Sequence, residues 1–166
     1  MFFPVNKTNS ALNSKDLQKF IETHQIQATI LPLSEHTPTV SDAARVLDVE
    51  TDQIIKSLVF HVNGEPLLVI NNGLARVDRK KLADYLGVGR KKVKFAGPEQ
   101  ALEITGYVVG SMPPFGHRKK LRTLVDAAIL QLGIIYGGGG DINAMMRLTP
   151  AVLKTVGEAE VASLSE

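Results

Sequence analysis

Apolar positions along the chain recur with two different periods, and their alternation predicts short helices interleaved with strands. Over Ser14–His24, Leu17, Phe20 and Ile21 fall on one helical face, with Ser14 as the expected cap. Ile26–Leu33 is β-branched and short enough for a strand, Ser34–Val40 carries two proline-bounded turns around His36, and Ser41-Asp42 opens a second helix, Ala43–Leu47. Gln53–Val62 and Pro66–Asn71 are the strongest strand signals, and Asn63-Gly64 between them predicts a hairpin. Asp78–Leu86 reads as a capped helix with Leu82, Tyr85 and Leu86 inward and Gly87 as its stop. Lys91–Phe95 is a short strand, Pro98–Ile104 a short helix, and Tyr107-Val108-Val109 an extended segment between Gly106 and Gly110. Leu121–Val125, Gly133–Tyr136, Asn143–Leu148 and Val161–Leu164 are further strand candidates, with Thr149-Pro150 starting a helix over Ala151–Val156. This order predicts an α/β (α+β) fold on a mixed sheet, one domain over residues 1–166, with the helix and strand of residues 1–35 packed on it.

The alternation also isolates one misfit. In the Gln53–Val62 strand, Lys56 shares a face with Ile54, Leu58 and Phe60, so its ammonium either snorkels to the end of the sheet or meets an anion in a pocket. A second irregularity is GYVVGSMPPFGHRKK, Gly106–Lys120, where Pro113 and Pro114 remove two backbone donors in a row and stiffen the loop.

Composition narrows the chemistry. A content of 44% hydrophobic and 22% charged residues is that of a globular chain, and the longest apolar runs are far short of a membrane span. The start, MFFPVNK, lacks the pattern of a secretory signal, so a cytoplasmic location is expected, with no membrane partner. The absence of cysteine excludes a disulfide framework, a thiolate metal site and a cysteine nucleophile. Although the net charge is only +2, Lys and Arg crowd into three clusters between Arg76 and Arg122, around Arg79–Lys81, Arg90–Lys94 and Arg118–Arg122. Only Asp78, Asp84, Glu99 and Glu103 oppose them there, so either a solvated surface or a polyanion-binding face is expected.

The familiar sequence signatures fail on spacing. Gly137–Gly140 is not a dinucleotide fingerprint, because Ile142 and Asn143 stand where the third glycine belongs, and no Walker lysine follows. Ser111 is not on a nucleophile elbow, since Gly110 directly precedes it and Pro113 replaces the second glycine. His24, His36, His61 and His117 are too scattered for a metal site, and no cofactor is expected. What remains is backbone chemistry: the loops Gly110–Gly116 and Gly137–Gly140 either make tight turns or present N–H groups to an oxyanion or phosphate.

Lys56 within IIKSLVF, Gly106-Tyr107 leading into GSMPPFG, and the glycine run followed by DINAMMRLTP together resemble the YbaK/prolyl-tRNA-synthetase-associated domain family of aminoacyl-tRNA editing domains. The resemblance runs from about His36 to Val161. It implies a mixed, strongly curved sheet surrounded by short helices, and metal-independent hydrolysis of the ester in a mischarged aminoacyl-tRNA. Free-standing members act in trans, often on alanine or cysteine attached to proline or cysteine tRNA, and Lys56-Ser57 resembles the cysteine-handling branch.

On this resemblance Lys56 is the functional lysine, Gly110–Pro114 the G-x-x-x-P loop, and Gly137, Gly138, Gly139 and Gly140 the second glycine loop, with Asp141 after it. The implied catalytic set is Lys56, Gly110 and Ser111, with loop amides near Gly110-Ser111 holding the ester carbonyl oxygen. Lys56 would hold the terminal phosphate or orient water, and the 2′-OH of the tRNA assists. Met112, Pro113, Pro114, Phe115, Gly116, the second loop and Asp141 would contact substrate. Arg118, Lys119, Lys120, Arg90, Lys91 and Lys92 are the expected contacts to the tRNA acceptor end, the implied partner along with a synthetase. Tyr107 and Phe115 either stack on the terminal adenine or pack in the core. A tRNA- or synthetase-binding module without turnover and a small-molecule sensor are the other readings compatible with these residues.

Overall fold

The computed structural model describes residues 10–166; the expectation for the first seven residues lies outside them. Helix α1, Ser14–Thr23, begins the described chain. Its cap is Asn13 rather than Ser14: the Asn13 side chain accepts from the Lys15 and Asp16 amides, and the Asp16 carboxylate accepts the Asn13 N–H. Strand β1, Thr29–Pro32, leads to α2, Val40–Leu47, capped by Thr39 with Asp42 answering.

The expected hairpin is present as β2, Ile55–Val62, and β3, Glu65–Asn72, in antiparallel register from Ile55↔Asn72 to Val62↔Glu65. Asn63 and Gly64 both have positive φ, 52° and 80°, which the two-residue turn requires. Helix α3, Arg79–Leu86, is capped by Asp78 and stopped by Gly87 at φ 70°. Leu82 points inward, but Tyr85 is exposed and its hydroxyl donates to Glu160 at 3.0 Å. Then follow β4, Val93–Phe95, and α4, Pro98–Thr105. The remaining elements are β5, Arg122–Asp126; β6, Ile135–Gly138; β7, Ala144–Leu148; α5, Pro150–Gly157; and β8, Glu160–Ala162.

The described strands form two sheets where one was expected. Five of them lie in the order β4-β2-β3-β5-β8, antiparallel around β2 and parallel at β3–β5 and β5–β8. The other three, β1-β7-β6, are antiparallel. A single bridge, Ile54↔Tyr136, joins the sheets at the start of β2.

Apolar side chains cover both faces of the five-stranded sheet. On one face Leu68, Ile70 and Val125 pack with Leu17 and Ile21 of α1, Tyr107, Phe115, Met146 and Leu153. On the other, Phe60, Leu67, Val69 and Leu124 pack with Leu82 and Ala83 of α3. Burial on both faces accounts for the unbroken apolar run of β3. A third cluster, Ala43, Ala44, Ile54 and Met145, seats α2 against the junction of the sheets. Asp126, buried at the end of β5, accepts the amides of Ala128, Leu164 and Ser165 and so fastens the carboxyl-terminal segment.

Candidate functional site

At the junction of the two sheets β2 loses its neighbour. β6 reaches it at Ile54 and β4 pairs with it from Phe60 onward, leaving an open stretch between. A cleft of about 220 Å³ lies there, walled by Thr39, Val40 and Ala43 of the α2 end, Ile54–Leu58, Val109, Gly110 and Met112 of the long loop, Gly138 and Met145. Of the residues expected at a site, Lys56, Gly110, Met112 and Gly138 therefore meet at one place.

Lys56 is half-buried, and its ammonium reaches the loop after β3, donating to the Ala75 carbonyl at 2.6 Å. That oxygen also accepts from Asn71 Nδ2 at 3.2 Å, and Asn71 Oδ1 in turn accepts from the Ser165 hydroxyl at 2.8 Å. Among the described residues no carboxylate pairs with Lys56. Burial, followed by the nearby positive charge of Arg76, pushes its pKa down. Arg76 thus adds a second positive charge near the Lys56 ammonium. Arg76 was visible in the sequence only as one of many basic residues; the turn after β3 is what brings it beside Lys56.

The long loop departs from its expected extended form. Gly106, at φ 87°, ends α4 in the left-handed conformation, and Gly110, at φ 97°, turns the chain again. Between them Tyr107 is fully buried while Val108 and Val109 are exposed. Tyr107 cannot stack on an adenine, and its hydroxyl finds no hydrogen-bond partner among the described residues. Phe115 is also a core residue, stacked on Phe20 with ring centroids 6.0 Å apart. Ser111 is buried, and both its N–H and its hydroxyl donate to Val108 O, at 3.0 and 2.8 Å. Its amide is thus already used, whereas the Gly110 and Met112 amides have no backbone partner among the described residues. His117 Nε2 donates to Pro113 O at 2.7 Å and braces the far end of the loop; burial lowers its pKa.

The second glycine run lies along the joint between elements. A Cβ on Gly138 would stand 2.2 Å from Met112 O, and one on Gly139 2.6 Å from the Ala144 carbonyl carbon. Gly137 packs on Ile55 and Pro114, and Gly140 on Ser14. The Gly139 and Gly140 amides donate to Ala144 O and Ser111 O, at 3.1 and 2.9 Å. Asp141 accepts the Ser14 hydroxyl at 2.5 Å, tying the run to α1. Gly137, Gly139, Gly140 and Asp141 are absent from the cleft wall, and close packing explains the glycines.

The remaining expected residues lie elsewhere. Pro114, Phe115, Gly116 and Lys120 line a separate hollow of about 300 Å³ behind the loop, against Phe20 and His24. Lys120 pairs with Glu158, Arg118 donates to Ser10 O at 2.9 Å, and Lys119 is exposed. Lys91 and Lys92 gather with Lys94 and His61 at the hairpin end of the sheet, next to Arg90. Among the described residues, no three His, Asp or Glu come together as a metal site, and no helix is long and apolar enough to cross a membrane.

The model of the aminoacyl-tRNA editing domain matches residues 34–156, more than half of the chain. The protein belongs to this editing-domain family. It is 28% identical over 140 residues to the uncharacterized protein YwhH of Bacillus subtilis (strain 168), covering 81% of this chain and 87% of that one. It is 32% identical over 120 residues to a proline–tRNA ligase of Limosilactobacillus fermentum, covering 68% of this chain but only 21% of the ligase. A crystal structure of a protein proposed to be a trans-editing enzyme for prolyl-tRNA synthetase superposes with a TM-score of 0.86 at 31% identity, over 92% of this chain and 96% of that one. The editing-domain match includes every element that walls the cleft, while α1 lies outside it.

Proposed function

We propose that this protein is a trans-acting aminoacyl-tRNA deacylase that hydrolyses the ester of a mischarged tRNA in the cleft between the two sheets. The observation that carries the reading is that Lys56 and the Gly110–Met112 loop, far apart in sequence, wall the same cleft. An aminoacyl ester is already activated, so orientation and stabilisation of the oxyanion suffice, and the reading needs neither a nucleophilic side chain nor a metal. The unpaired Gly110 and Met112 amides are the donors we assign to the developing oxyanion, in place of the Ser111 amide. Lys56 and Arg76 supply positive charge for the terminal phosphate.

In the reaction, water adds to the carbonyl carbon, the carbon–oxygen ester bond breaks, and a water proton ends on the ribose oxygen of the tRNA. Val40, Ala43, Met112 and Met145 make a small apolar wall, which supports a small amino acid such as alanine or cysteine on proline or cysteine tRNA. The acceptor end would be held by Arg90, Lys91 and Lys92, joined by Lys94, none of which has an ion-pair partner among the described residues. The cytoplasm and a synthetase partner follow from this substrate. Incubating the protein with a panel of mischarged tRNAs and following ester loss tests the proposal; binding of tRNA without hydrolysis of any member would instead make it a binding module.

A further inference from the structure

The open stretch of β2 exposes main-chain groups whose direction the register fixes. In an antiparallel pair, residues alternate between those whose N–H and C=O face the partner strand and those whose groups face away. The Gly73 amide donates to Ile54 O at 2.7 Å on the β3 side, so even-numbered residues of β2 face β3. Odd-numbered residues face the other edge, as shown there by the Ala96 amide on Val59 O at 2.9 Å and the Asn63 amide on Lys92 O at 3.3 Å. Ser57 is odd, and it lies past the single bridge that β6 makes at Ile54 and before the β4 pairing that starts at Phe60. By this alternation its N–H and C=O face the cleft edge, where neither β4 nor β6 forms a bridge with it.

A free strand edge of this kind pairs readily with another extended backbone, and here the cleft admits very little of one. An aminoacyl ester carries the N and C=O of a single residue. We propose that the aminoacyl group docks on Ser57 as a one-residue strand, its α-ammonium donating to Ser57 O and its ester carbonyl oxygen accepting from Ser57 N–H. This deepens the deacylase reading and rests on it. The pairing reads the part common to all amino acids, so selection falls to the apolar wall of Val40, Ala43, Met112 and Met145. Gly110 and Met112 wall the same cleft, so their amides are the further donors we assign to the ester carbonyl oxygen. Hydrolysis then proceeds as above, with the Ser57 N–H kept on the oxygen as it becomes an oxyanion.

Two measurements test this. The first uses the unmodified protein and the aminoacyl-tRNA it hydrolyses best, compared with the same tRNA carrying the corresponding des-amino acid, which has no α-donor, each rate divided by its uncatalysed rate. Loss of the ammonium is expected to lower the enhancement at least about tenfold, the loss of one charge-assisted bond. The second replaces Ser57 by its α-hydroxy analogue through nonsense suppression, turning the amide N–H into an ester oxygen while keeping the side chain. The ester also weakens Lys56 O as an acceptor from β3, so the melting temperature falls slightly while the protein stays folded, and kcat falls about 10²-fold, as for a lost oxyanion donor. A des-amino substrate with full enhancement, or a folded ester variant with full kcat, overturns the docking and leaves the deacylase reading standing. A parent protein inactive on every aminoacyl-tRNA overturns both.

Discussion

Gly138→Ala probes the joint that holds the cleft together. A Cβ there would lie 2.2 Å from Met112 O, 2.6 Å from its carbonyl carbon and 2.8 Å from Ser111 O, all backbone atoms that cannot rotate away. Ordinary contact needs a displacement of about 1 Å, which overpacks the joint at about 1–3 kcal/mol. The same movement strains the Gly140 amide bond to Ser111 O, now 2.9 Å, worth a further ~1 kcal/mol. A loss of about 2–4 kcal/mol is expected, lowering the melting temperature of a chain this size by roughly 4–16 °C. Because Met112 and Gly110 move with the loop, deacylation should fall about 10²-fold even where the protein is still folded. Thermal denaturation of Gly138→Ala beside Gly133→Ala, whose Cβ would meet nothing within 4 Å, isolates the clash from any general effect of alanine. Equal melting temperatures for the two variants would refute the reasoning.

Three further outcomes follow from particular contacts. Tyr107→Phe removes a buried hydroxyl that has no partner among the described residues, so chemical denaturation should show a gain of about 1 kcal/mol. His117 has its pKa lowered by burial, so the unfolded chain binds the proton more readily; stability is complete above about pH 6.5 and declines as pH falls below it. His117→Gln should flatten that acid-side slope in denaturation curves taken across this range, and an unchanged slope would assign it to other groups. Replacing Lys91, Lys92 and Lys94 together by Ala should weaken tRNA binding and reduce its salt dependence, since each lost phosphate contact lowers the slope of log affinity against log salt by about one. The same change at Lys120, which pairs with Glu158, should matter less.

Local chemistry was legible in the sequence wherever a few adjacent residues decide the conformation. Asn63-Gly64 fixes its hairpin, Asp78 and Gly87 bound α3, and Thr149-Pro150 starts α5, because turns and caps are settled within four residues. The division into two sheets was not legible. The packing at the sheet junction uses Gly138 and Gly140, which let the distant backbone of Met112 and Ser14 approach, and the sequence shows only that glycines are present. Tyr107-Val108-Val109 has strand composition, yet the turns at Gly106 and Gly110 take the valines outside and bury the tyrosine. For the cleft, the misfit of Lys56 among apolar neighbours marked the right strand. That its ammonium meets Ala75 O, that Ser111 spends its amide on Val108, and that Ser57 faces an open edge are consequences of register and loop closure, which no local pattern encodes.

The central claim is that Lys56 and the Gly110–Met112 loop form one catalytic cleft, and deacylation by Lys56→Ala tests it most directly. The substitution breaks no ion pair among the described residues and removes no member of the three core clusters, so circular dichroism and melting temperature should remain close to the parent. Across a panel of mischarged tRNAs, the parent should hydrolyse at least one member, and Lys56→Ala should lose that activity by about 10²-fold or more. A folded Lys56→Ala protein that deacylates as fast as the parent would contradict the account.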